Sequence, residues 1–131
     1  MATASGSRGA RSTDLTAAQL EAAAATFDML STPTRLHLMW LLCHGEHDVG
    51  WLAAAVNATI AAVSQHLAKL RLAGLVSARR HGRHQIYRVD DPHVAMLIEL
   101  VFEHIEPDGS AVVDTADRGS PRRQPFASRT R

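Results

Sequence analysis

The chain has 131 residues, 46% of them hydrophobic and 5% aromatic, with a formal net charge of +1. That is enough for one domain with a modest core and hardly enough for two. Its one cysteine, Cys43, excludes an internal disulfide framework and a thiolate-rich metal centre, and a cytoplasmic setting is expected.

Residues 1–13 are Ser, Gly, Ala, Thr and Arg without a period, which predicts a flexible arm. The N-terminal stretch carries no apolar h-region, and no apolar run reaches the length of a membrane span, so neither secretion nor a membrane is expected. A single domain is expected over 14–106. It opens with "DLTAAQLEAAAATFDML", a helix with Leu15, Leu20, Phe27 and Leu30 marking its apolar face. In "STPTRLHLMWLLCHG", Thr32 can cap a second helix, Pro33 suits its first position and Gly45 stops it. A third helix is predicted over about Val49–Val56, capped by Asp48 and ended by Asn57. A fourth is predicted over about Ile60–Ala73, capped by Thr59 and stopped by Gly74. In "LVSARRHGRHQIYRV" two β-type runs flank His81-Gly82-Arg83 and predict a hairpin. A last helix fills "DDPHVAMLIELVFEHIEP", and residues 107–131 read as a disordered tail.

Four helices, a basic hairpin and a fifth helix make a mainly α fold with a small β-hairpin wing, a winged helix-turn-helix. Charge is segregated along it. From Thr59 to Arg88 there are six Lys or Arg and no acid; from Val89 to Gly119 there are eight acids and one Arg. A solvated basic face is the bland alternative to polyanion contact. At 100° per residue, Ile60, Val63, Leu67 and Leu70 share the core face of the fourth helix. Ala61, Gln65 and Ala68 lie opposite, flanked by Ser64 and Arg71. Small residues allow close approach to base edges, and Gln can pair with adenine. The candidate DNA-binding set is Thr59, Ala61, Ser64, Gln65, Lys69, Arg71, Arg79, Arg80 and Arg83, the basic members holding phosphates of double-stranded DNA. Leu72 has no groove role in this reading, and His66 falls nearer the core side.

"LSTPTRLHLMWLL", "VSQHLAKLRLAGLVSARRHGRHQIYRV" and "DPHVAMLIELVFEH" together resemble the ArsR/SmtB family of bacterial metal-responsive repressors, over roughly residues 20–106. The resemblance implies a homodimer that binds an operator and releases it when an inducer binds. Family sites that use cysteines on the third or fourth helix do not match: Asp48 and Trp51 stand in "EHDVGWL", and Cys43 is alone. Cys43 reads as a buried small hydrophobe. His44, His47 and Asp48 form a small cluster that also reads as helix-end chemistry.

The last helix remains. His93 and His104 are eleven residues apart, close to three turns, so they share a face about 16 Å apart along the axis. A metal needs donors about 2 Å away, so one helix cannot close a site with both. An antiparallel second copy can, which predicts a two-fold homodimer with two equivalent sites. The homodimer is expected to form through the first and last helices. Leu97 and Leu100 complete the seam stripe, and Val94, Ile98, Val101 and Ile105 form a neighbouring core stripe. The family's pattern on this helix is D-x-H, then a second histidine eleven residues on, then His or Glu three further. Asp91, His93 and His104 match it; Pro107 holds the last position and cannot ligate. Glu106, Glu103, Asp108 or water are the substitutes, with Glu106 taken into the candidate set. Such donors suit Ni2+, Co2+ or Zn2+ as inducer. Asp91 as a plain N-cap and the histidines as seam-edge residues are the bland alternatives.

The expected function is a metal-responsive transcriptional repressor. The alternative is a regulator of the same fold that senses a non-metal signal or binds DNA constitutively. No phosphate loop or nucleophile elbow is present, so neither an enzyme nor a small organic substrate is expected.

Overall fold

Each helix starts at a side chain that accepts a backbone N–H the helix cannot itself satisfy. The computed structural model describes residues 13–112; the expectations for 1–12 and 113–131 lie outside the described residues. Helix α1 spans Ala17–Met29. Thr16 Oγ1 accepts from the Gln19 N–H at 3.0 Å while Gln19 Oε1 accepts from the Thr16 N–H at 2.9 Å, a reciprocal capping box. Helix α2 (Pro33–Cys43) is capped by Thr32, whose Oγ1 accepts from the Arg35 N–H at 3.2 Å, with Pro33 at its first position. Helix α3 (Val49–Val56) is capped by Asp48 and ends at Asn57, in the left-handed region at φ 59°. Helix α4 (Ile60–Leu72) is capped by Thr59, with Gly74 at φ 79° leading the chain out. Helix α5 (Pro92–Glu103) is capped by Asp91 and starts on Pro92.

Strands β2 (Ser77–His81) and β3 (His84–Arg88) form the wing, joined through Gly82 at φ 65°. A third strand, β1 (His47–Asp48), pairs antiparallel with β3 through His47–Tyr87 and Asp48–Ile86, giving the order β1-β3-β2. The wing is thus rooted in the chain between α2 and α3 rather than standing as a free hairpin.

The core gathers Leu38, Met39 and Leu42 of α2, Leu52 and Ala53 of α3, Val63, Leu67 and Leu70 of α4, and Ile98 of α5. Leu75 and Val76 close it beneath the wing. Ile60 is a correction to the expected core face: it is 56% exposed. As the first residue of α4 it lies on the side chain row before that row enters the core. Leu97 is another correction. It packs against the core with Val94, while Met96, 57% exposed, stands with Leu100, 54% exposed, on the outer face of α5. Trp40 of α2 meets Phe102 of α5 edge-on at 5.2 Å, fixing those helices together. Helix α1 buries none of its residues, and Leu15, Leu20 and Phe27 stand exposed.

The chain stays ordered past 106. Ile105 pairs with Ala111, the Val112 N–H donates to the His104 carbonyl and the Glu106 N–H to the Ser110 carbonyl. The Gly109 N–H closes a turn on the Glu106 carbonyl, with Gly109 at φ 89°. Glu106-Pro107-Asp108-Gly109 is therefore the turn of a small hairpin, the first part of the stretch expected to be a disordered tail.

Candidate nucleic-acid interface and metal donors

Helix α4 buries Val63, Leu67 and Leu70, which turns the opposite face outward. Ala61, Ser64, Gln65, Ala68, Lys69 and Arg71 are all exposed, and Thr59 stands at the helix start with its hydroxyl accepting the Ala62 N–H at 3.0 Å. The small-residue face predicted to meet base edges is therefore presented to solvent on a helix held rigidly behind. Arg71 also borders an open cleft of about 560 Å³ with Ala68, Leu72 and Tyr87, where α4 meets the wing. Leu72 is 89% exposed.

The wing arginines divide into two groups. Arg79 Nη2 lies 2.7 Å from Glu46 Oε1, and Arg88 Nη1 lies 3.5 Å from Glu46 Oε2. Arg88 Nε lies 2.7 Å from Asp90 Oδ1, and Asp90 Oδ2 accepts from Ser77 Oγ at 2.7 Å. Two cations and two carboxylates thus cancel across the base of the wing. The Arg79 hydrogen bond, aided by Arg88, holds the Glu46 carboxyl below its ordinary value. Arg80 and Arg83, both exposed, have no carboxylate within ion-pair distance among the described residues. Register explains the division: alternate residues of β2 face opposite sides, so Arg79 and Arg80 cannot share a partner.

At α5 the Asp91 Oδ1 accepts from the His93 N–H at 2.8 Å and sits 3.3 Å from His93 Nδ1. The His93 side chain is 91% exposed. His104 is the C-cap of the same helix, exposed at its far end, and Glu106 follows in the turn. The candidate donors therefore fall into two groups, Asp91 with His93 and His104 with Glu106, at opposite ends of one helix. Among the described residues no three His, Cys, Asp or Glu of one chain come together as a metal site. Asp108, the other carboxylate near the turn, is committed locally: Oδ1 accepts from the Ser110 N–H at 2.9 Å and from Ser110 Oγ at 2.8 Å, which lowers its pKa. Imidazole nitrogen and carboxylate oxygen are both ordinary donors to borderline divalent ions, so the Asp91–His93 pair fits such an ion chemically.

The cluster at the α2–α3 corner disperses. His44 bonds the Trp40 carbonyl through Nδ1 at 2.7 Å and pairs with Glu99 of α5 through Nε2 at 2.8 Å. His47 stacks on Trp51 with ring centroids 3.5 Å apart, and Asp48 caps α3 and lies 3.4 Å from His84 Nδ1. Cys43 is half-buried, and burial followed by Glu99 pushes its thiol up, keeping it protonated.

The bacterial regulatory protein family arsR matches residues 32–78, from the cap of α2 into β2. The transcriptional regulator NmtR of Mycobacterium tuberculosis is 40% identical over 83 residues, which covers 63% of this chain and 69% of that protein. The chain belongs to the ArsR family. KmtR of the same organism, a transcriptional regulator, is 45% identical over 84 residues, 62% of this chain; the match spans 65% of KmtR's length. A homodimeric winged helix-turn-helix DNA-binding domain from Mycobacterium bovis superposes with a TM-score of 0.63 at 37% identity, covering 66% of this chain and 81% of that one. The relatives of this ArsR-family chain are transcriptional regulators, not enzymes. No helix among the described residues is long and apolar enough to cross a membrane.

Three residues matter in this ArsR-family fold that the sequence did not single out. Glu46 neutralises the wing base, Arg35 reaches His66, and Met96 takes the outward place assigned to Leu97. For the turn after α5 a signal was present, since Pro-Asp-Gly is a turn sequence with a physical basis.

Proposed function

We propose that the chain is a homodimeric repressor that binds an operator through α4 and the wing, and lets it go when Ni2+, Co2+ or Zn2+ binds across the dimer. The observation that carries this reading is the placement of donors on α5. Asp91 and His93 stand at one end of an exposed apolar stripe, Met96 and Leu100 in the middle, and His104 and Glu106 at the other end. Laid antiparallel against a second copy, the apolar middle becomes the seam, and each end of one helix meets the complementary end of the other. Asp91 and His93 of one protomer with His104 and Glu106 of the second would hold the ion, which supplies a cross-link between protomers.

On DNA, Gln65, Ser64 and Ala61 face base edges while Lys69, Arg71, Arg80 and Arg83 hold phosphates. Two copies place two α4 helices in successive major grooves, which asks for an imperfect palindrome. Drawing the α5 ends together favours a dimer shape with different α4 spacing. Release follows if the two shapes bind the ion unequally, by a few kcal/mol.

An apolar cavity of about 530 Å³, lined by Pro33, Leu36, His37, Trp40 and Phe102, favours one other reading, a regulator of this fold that answers an apolar non-metal effector. The experiment that decides is fluorescence anisotropy on an operator selected from random duplex DNA, titrated with each metal. The proposal expects at least one of the three ions to release the DNA, and His93→Ala to abolish that release. DNA binding that ignores all three ions sinks the metal reading.

A further inference from the structure

Thr32 and Pro33 start α2, but Arg35, two residues on, turns away from its own helix. Its side chain is half-buried. Nε donates to the Met29 carbonyl at the end of α1, and Nη1 donates to His66 Nδ1, in the middle of α4, at 3.3 Å. Met29 belongs to the last turn of α1, whose carbonyls lack helical partners and whose dipole favours a cation. Arginine only donates, so His66 Nδ1 must accept; the ring is neutral, with its proton on Nε2. Burial, then Arg35, then Lys69 hold the His66 pKa below its ordinary value, in keeping with that state.

The attachment point on α4 is a sensitive one. His66 lies three residues after Val63, about 60° round the helix from the core line, and Lys69 and Gln65 lie further round the same side. At a side-chain radius of about 5–6 Å, moving this point by about 1 Å turns the helix by about 10°. Helix α1 has no fully buried residue and meets the core only near its end, where Met29 packs against it, so the guanidinium is a polar tie between the end of that helix and the helix that faces the groove.

We infer that Arg35 is a positioning residue that sets the rotation of α4 from the end of α1, and so transmits the placement of α1 in the dimer to Gln65 and Lys69. The inference rests on the proposed reading of α4 as the DNA reader and of α1 as a seam helix. Planar, two-pronged donation is the property it needs, so lysine does not replace Arg35.

The test uses the full-length dimer and the selected operator. Arg35→Gln, Arg35→Lys and His66→Leu are expected to keep the dimer by sedimentation and to bind operator roughly ten-fold more weakly. His66→Asn keeps an acceptor at the δ position and is expected to bind within about three-fold of wild type. In parallel, 15N spectra of His66 are expected to show a single Nε2–H tautomer in wild type and a tautomer mixture in Arg35→Gln. Wild-type operator affinity in Arg35→Gln, or an unchanged His66 tautomer, overturns the inference while leaving the DNA-binding reading intact. A wild-type dimer that binds no DNA overturns both. Should Arg35→Gln fail to fold, the His66→Leu and His66→Asn pair decides by the same thresholds.

Discussion

The wing arginines give opposite predictions for residues that look interchangeable in sequence. Arg79 is matched by Glu46 at 2.7 Å, and with Arg88 and Asp90 the group carries no net charge. Arg80 and Arg83 are unmatched among the described residues. A cation that holds a phosphate releases counterions, and each such contact adds about 0.9 to the slope of log K against log salt. Arg83→Ala removes one contact per protomer, so the slope of a dimer should fall by about 1.8. At about 0.15 M salt that corresponds to roughly a 30-fold loss of affinity. Arg79→Ala removes a charge already neutralised, and the slope should change by less than about 0.5. Anisotropy titrations of one operator at four or more salt concentrations measure both slopes. Equal slope losses for Arg79→Ala and Arg83→Ala would refute the division of the wing into a neutral base and a phosphate-holding tip.

Three further outcomes can be checked. Leu67 is fully buried, so Leu67→Ala should cost about 2–5 kcal/mol in urea unfolding, whereas Leu72→Ala, at an 89% exposed site, should cost less than about 0.5 kcal/mol. His66 has a folded pKa below its ordinary 6.5, so its contribution to stability is present above pH 6.5 and is lost as pH falls through the folded value. Wild type should therefore lose more stability than His66→Asn between pH 7.5 and 5.5; parallel curves would rule this out. Phe27 is 59% exposed on a helix with no buried face, so Phe27→Ser should weaken dimerisation in sedimentation equilibrium while leaving the monomer's melting unaffected.

Helix boundaries were legible wherever local chemistry sets them. Thr32-Pro33, Asp48, Thr59, Asn57 and Gly74 act within a few residues, and each does the work its type predicts. The turn through Gly82 was legible for the same reason. Pairings across long stretches of chain were not. Glu46 meets Arg79 and Arg88 at separations of 33 and 42 residues, and no period or spacing announces such a contact. Strand β1 is two residues long, too short to show alternation, and exists because β3 offers it an edge. On α5 the difference between Leu97 and Met96 is 100° of helix, which only the position of α2 decides. The candidate site was half legible. The spacing of His93 and His104 is visible in the sequence, whereas the hairpin that carries Glu106 rests on a Pro-Asp-Gly turn whose composition is also that of a disordered tail.

In the proposed dimer each metal site is shared between two copies of the chain, His93 from one and His104 from the other. A heterodimer of His93→Ala and His104→Ala subunits tests it directly, by counting tightly bound Ni2+, Co2+ or Zn2+ per dimer in isothermal titration. Each homodimeric variant lacks a histidine at both sites and should bind no ion tightly. The heterodimer places both substitutions in one site and leaves the other whole, so it should bind one ion. A heterodimer that binds none, or a homodimeric variant that still binds two, would rule out sites shared between the two copies.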